Sequence, residues 1–196
     1  MSLAYRLLCD RVKIRTWVRF QMSTFQHGSK RSRSSNACNL FLRANEHWDR
    51  GELKSAFRLF LRAARAGDSG ARVNLGYFYD SGLGVKPNRD LALYWYRRAY
   101  RQRSSGAASN IGTVWRDQGK LDRAISWFQR AVKLGDGDAN LEIAKVYLRY
   151  KHDKDKAIHY LRRVCRAKPD EVMQQSREEA ENLLKRIDKT RSRRRQ

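Results

Sequence analysis

A chain of 196 residues has room for one compact unit with flanking tails and not for two separately cored domains. Its 43 Lys and Arg outnumber 20 Asp and Glu to give a net charge of +23, and no window approaches the roughly 18 apolar residues that a membrane-crossing helix requires. Only two prolines among abundant Ala, Leu, Arg, Lys and Glu favour helix and argue against a sheet, where frequent turn signals would be expected.

Residues 1–36 hold eight cations and a single acid. Arg6, Asp10, Arg11, Lys13, Arg15 and Arg19 interrupt any apolar run there, so the stretch is not read as a secretory signal. Rich in Arg and poor in acids, it has the composition of a mitochondrial transit peptide or of a surface-active amphipathic helix, and Met22 offers an alternative start. It is expected to be a poorly ordered extension. Cys9, Cys38 and Cys165 are too far apart and too few for a disulfide framework or a zinc site, which suits a reducing compartment. The expected location is the cytoplasm, with the mitochondrion as the alternative if the extension is a transit peptide.

From residue 37 the chain repeats. Ala56, Ala92, Ala124 and Ala157 are each followed four positions on by Phe60, Tyr96, Phe128 or Leu161, and three further by Ala63, Ala99, Ala131 or Val164. Successive copies are 36, 32 and 33 residues apart at all three columns, the signature of a stacked array. An upstream segment in each copy carries Ala44, Gly76, Gly112 or Ala144, with Tyr79, Trp115 and Tyr147 three residues after the last three of these. Small residues at fixed places let two helices approach closely, so each copy is predicted to be a hairpin of an A helix and a B helix. Turn signals separate A from B at Gly51, Gly82–Pro87, Gly119 and Lys151–Lys156, and separate the copies at Gly67-Asp68, Ser104–Gly106 and Gly135–Gly137. After Pro169 the segment Val172–Ile187 is amphipathic and predicts a capping helix. The expected organisation is an all-α superhelix of four hairpins over 37–169, a cap over 170–188 and a basic tail over 189–196.

The second copy, ARVNLGYFYDSGLGVKPNRDLALYWYRRA over 71–99, resembles a Sel1-like repeat, with its LG pair, tyrosine, GxGV loop and alanine followed two residues later by YWY. The third, NIGTVWRDQGKLDRAISWFQRAVKLGD, is similar to a tetratricopeptide repeat, whose loop between helices is shorter. The resemblance implies an αα-solenoid that acts as a non-enzymatic adaptor for other proteins. The first and fourth copies depart from the pattern, with Arg43-Ala44 and Ile143-Ala144 in the place of LG and one extra loop residue in the fourth.

Nothing in the residues argues for catalysis or a cofactor. Gly82-Leu83-Gly84 lacks the third glycine of a dinucleotide loop, with Pro87 in its place and no strand before it. His27, His47, His152 and His159 have no metal-ligand spacing, and no nucleophile motif is present. No metal, cofactor or small-molecule substrate is therefore expected.

Solenoids of the resembled type bind partners on the concave face lined by their A helices. Register places Trp48, Asn74, Tyr77, Ser109, Asn110, Thr113, Arg116, Lys145 and Arg149 on or beside that face. The growing positive charge towards Arg149 suggests a protein partner or an acidic peptide. Asn74 and Asn110 stand where a carboxylate clamp would need them, but Val73, Ser109 and Leu141 beside them do not complete it. On the B helices, Arg62, Arg98, Arg130 and Arg163 precede the third-column anchors and Arg65, Arg101, Lys133 and Arg166 follow them by two. This ladder complements the helix dipoles and is also a candidate site for nucleic acid or an anionic membrane surface.

Overall fold

The computed structural model describes the backbone of residues 31–192 and the side chains of residues 35–189. The basic extension up to residue 30 and the tail after Ser192 lie outside the described residues. Nine α-helices occur among the described residues: α1 (Arg31–Asp49), α2 (Leu53–Arg65), α3 (Ser69–Ser81), α4 (Arg89–Tyr100), α5 (Ser105–Asp117), α6 (Leu121–Lys133), α7 (Ala139–Val146), α8 (Lys154–Arg166) and α9 (Gln174–Ser192). The pairs α1–α2, α3–α4, α5–α6 and α7–α8 are the four hairpins, and α9 is the cap. Helix α1 starts at Arg31, inside the stretch assigned to the extension, and α9 continues past 188 to Ser192.

The repeat columns form the core. Ala56, Ala92, Ala124, Ala157, Phe60, Phe128, Leu161, Ala63, Ala99, Ala131 and Val164 are fully buried, and Tyr96 is nearly so. Within the second hairpin, a Cβ built on Gly76 would stand 2.5 Å from the Tyr96 ring, and in the third one on Gly112 would stand 2.7 Å from the Phe128 ring. The A helix is therefore held against the B helix by a ring seated where no side chain exists. The first and fourth hairpins have Ala44 and Ala144 at this place, both fully buried.

Differences in loop length have local explanations. From the small residue of helix A to that of helix B the four copies take 12, 16, 12 and 13 residues. The four extra residues of the second copy make the GLGV loop. Gly82 ends α3 in the left-handed conformation. Leu83 packs into the core of the first hairpin, and Gly84, at φ 66°, brings its backbone against Leu53, where a Cβ would be 2.7 Å from the carbonyl carbon. The one extra residue of the fourth copy is taken up by a π-helical turn over Tyr147–Lys151, closed by His152 at φ 51° with its N–H on the Tyr147 carbonyl. The polar run read as a loop from Lys151 is thus preceded by a widened last turn, as a one-residue insertion into a helix produces.

One junction column recurs as a side-chain acceptor for the first turn of the next A helix, as the N-cap in α3 and α5 and two residues ahead of the N-cap Asp138 in α7. The Asp68 carboxylate accepts from the Ala71 N–H at 2.6 Å, the Ser104 hydroxyl from Ala107 at 3.2 Å, and the Asp136 carboxylate from Ala139 at 3.3 Å. The residue before each of these acceptors is left-handed: Gly67, Arg103 and Gly135, with φ of 107°, 62° and 95°.

Two predictions concern these contacts. Gly112→Ala should destabilise the array by about 1–3 kcal/mol, because the new methyl must displace the Phe128 ring. Adding Phe128→Leu should recover part of the loss, since the fourth hairpin pairs Ala144 with Leu161; additive losses in a double-mutant cycle of melting curves would refute the contact. Arg103→Gly should stabilise by about 0.5–1 kcal/mol through relief of a left-handed non-glycine residue, read as a higher Tm.

Candidate functional site

The A-helix face is assembled from one residue position after another along α1, α3, α5 and α7. Trp48, placed there by register, is instead a core residue: it is buried with its ring 5.2 Å from Phe78 and 6.0 Å from Phe60 and Tyr77. Asn74 is also buried, and its amide donates to the Asn45 carbonyl oxygen on the preceding A helix at 3.4 Å. It bridges two helices through a side chain, not through the local backbone. Tyr77 and Asn110 are half-buried, and Asn110 makes no side-chain hydrogen bond among the described residues.

The C-terminal half of this face is a charge network. The Arg116 guanidinium bonds Glu142 at 2.6 Å and Asp117 at 3.0 Å, and the Lys145 ammonium reaches Glu142 at 3.3 Å and Glu179 of the cap at 2.9 Å. Burial works against the charge on Arg116, but Glu142 and Asp117 outweigh it and raise its pKa. Asp80, in the same row as Arg116, has its carboxyl pushed above the usual range by burial, with Arg89 opposing and Asp117 adding to the rise. Arg149 is exposed on the π turn. The basic trend read in the sequence is thus largely neutralised within the fold, since Arg116 and Lys145 already have carboxylate partners. Glu142 and Glu179, which do this, were not singled out from the sequence: the pairing crosses 26 and 34 residues and follows only from the stacking.

At the junction behind the face, Ser109 donates its hydroxyl proton to Asp136 at 2.5 Å. Burial raises the Asp136 pKa; the Ser109 hydrogen bond partly offsets this and the neighbouring Asp138 adds to it.

On the opposite side, the B helices present the ladder. Seven of its members are exposed and Arg98 is half-buried; none makes an ion pair among the described residues. Arg98 lies 5.4 Å from the Trp95 ring centre and Arg130 lies 4.4 Å from that of Trp127, one helical turn back. Among the described residues no group of His, Cys, Asp or Glu could hold a metal ion, and no helix is long and apolar enough to cross a membrane. Cys38 and Cys165 are free thiols.

The Sel1 repeat family model matches residues 52–68, 69–104, 116–136 and 147–168, which cover both helices of the second hairpin and the B helices of the other three. The chain is a Sel1-repeat protein. A sel1-like repeat-containing protein, L21, of Acanthamoeba polyphaga mimivirus is 30% identical over 76 residues, which is 39% of this chain but 14% of that much longer protein. The solved Sel1 repeat protein of Oxalobacter formigenes superposes with a TM-score of 0.55 at 26% identity, covering 69% of this chain and 58% of the other. YrrB, described as a TPR protein with an unusual peptide-binding site, superposes with a TM-score of 0.51 at 26% identity over 70% of this chain and 71% of its own. Sel1 and TPR repeats commonly serve as protein-interaction scaffolds.

The junction carboxylate generates a pH prediction. A raised pKa in the fold means that the folded chain binds the Asp136 proton more tightly than the unfolded chain does, so the group costs stability as pH rises through that raised value. Asp136→Asn should therefore stabilise the Sel1 array at pH 7, its carbonyl accepting from Ala139 and its amide donating to Ser109. The gain should vanish below about pH 4, the range in which an unfolded Asp is protonated. A stability difference independent of pH, measured by urea unfolding, would refute it.

Proposed function

We propose that this chain is a non-enzymatic scaffold that holds a segment of a protein partner along the A-helix face, centred on Tyr77, Asn110 and Thr113. The supporting observation is the uncommitted Asn110 amide in the middle of that face. An amide offers two donors and an acceptor, the set that matches the backbone of an extended peptide. The N-terminal part beside Tyr77 carries the acid Asp80, and the part beyond Arg116 is closed by its own ion pairs. A neutral segment is therefore favoured over the acidic peptide suggested by sequence charge, because an acidic one would have to displace Glu142 or Glu179. The likeness to YrrB, a protein described as having a peptide-binding site, is consistent with this use of the fold.

Site-specific photo-crosslinking tests the reading. A crosslinker at Thr113 should give a discrete protein adduct that survives nuclease, whereas one at Ser126 on the B side should not give that adduct. Asn110→Ala should lower the yield several-fold, in line with loss of one or two hydrogen bonds worth about 0.5–1.5 kcal/mol each. The same adduct from Ser126 and none from Thr113 would overturn it.

A further inference from the structure

The two sides of the solenoid differ in charge. Helix α2 has no acid, and the only acids of α4, α6 and α8 are Asp90, Asp122 and Asp155, all in first turns. Beyond the first turn, every B helix carries cations and no carboxylate. Asp122 is itself engaged by Lys151 at 2.6 Å. On the A side, by contrast, Arg116 and Lys145 are matched by Glu142, Asp117 and Glu179. Complementing a helix dipole calls for a cation in the last turn, but it does not require the carboxylates to be confined to the other end in all four copies.

Aromatic rings are built into the same side. Arg98 lies over Tyr94 and Trp95, Arg130 over Trp127, Lys120 and Arg123 over Trp115, and Lys156 over Tyr147. An open hollow between Trp115 and Trp127 is lined by Asp122, Arg123, Ser126 and Arg130. A guanidinium held against an indole on one side can stack a base on its other side while its edge donates to phosphate. A phospholipid surface would exploit the charge but not the rings beside it, and an acidic protein segment would not need rings at regular intervals.

The geometry points to the convex B-helix face as a binding surface for single-stranded nucleic acid. Phosphates lie along the cations of the ladder, and bases stack on the Arg98 and Arg130 planes and in the Trp115–Trp127 hollow. This surface lies opposite the one proposed for the protein segment, so both can be occupied together.

The test uses the full chain and fluorescence anisotropy with labelled 20-nucleotide oligo-uridine and oligo-thymidine, which distinguish RNA from DNA. Charge reversal of Arg62, Arg98, Arg130 and Arg163 to Glu should weaken binding at least about tenfold at fixed salt and flatten the dependence of log Kd on log salt, where each phosphate contact contributes a slope of about 0.7. An equal reversal at four exposed cations off the ladder, Arg43, Arg50, Lys86 and Lys168, controls for net charge and for the basic ends of the chain; it should change binding by less than about threefold. The pair Arg98→Lys and Arg130→Lys keeps the charge but removes the planes, and should weaken binding several-fold with the salt slope unchanged. Circular dichroism confirms that each variant is folded. Equal weakening by both reversals, wild-type binding by the lysine pair, or binding to phosphatidylserine vesicles without binding to either oligonucleotide would overturn the proposal. Thr113 crosslinking in the reversed variant reads the protein-binding proposal separately.

Discussion

The whole array depends on one close approach, repeated four times, in which a large side chain of helix B sits against a residue of helix A that has little or no side chain. Tyr96 on Gly76 and Phe128 on Gly112 leave no space for even a methyl group, while Ala44 and Ala144 occupy the same place in the outer hairpins. Close packing of this kind fixes the separation and rotation of the two helices, and that rotation decides which residues point between hairpins and which point outward. Both the A-helix face and the cation ladder inherit their alignment from it. A solenoid has only neighbour contacts to rely on, so a fault at one such seat is not averaged out by a distant core.

That seat was legible from residue types and spacing alone, because a buried column must repeat its chemistry whenever its surroundings repeat. Ala56, Ala92, Ala124 and Ala157 could be read for this reason, whereas the capping segment Val172–Ile187 was legible from its amphipathic pattern after Pro169. The features that could not be read are those in which copies differ. Arg103 takes a left-handed place that glycine fills at 67 and 135, the fourth copy absorbs its additional residue as a π turn, and Trp48 turns into the core where register had placed it on a binding face. Each reflects a local compromise between chain length and packing, with no periodic signal to betray it.

Charge was the least transferable part of the sequence reading. A count of cations along the A helices suggested a basic groove, yet Glu142 and Glu179 lie against Arg116 and Lys145 once the hairpins are stacked. The B helices show the reverse: the eight cations of the ladder have no carboxylate partner among the described residues, and the excess charge of the repeat region is therefore concentrated on one side of a thin body. Partner classes inferred from net charge need this redistribution before they can be assigned to a surface.

The cap has a further consequence for assembly. Helix α9 lies on the last hairpin, burying Val172, Ala180 and Ile187; the Gly137 N–H donates to the Glu171 carbonyl, and Arg177 donates to the Cys165 and Ala167 carbonyls. The stacking surface that would otherwise receive another hairpin is thus occupied by the chain itself. A second molecule approaching this end therefore meets the polar outer face of α9 and not the open face of a hairpin.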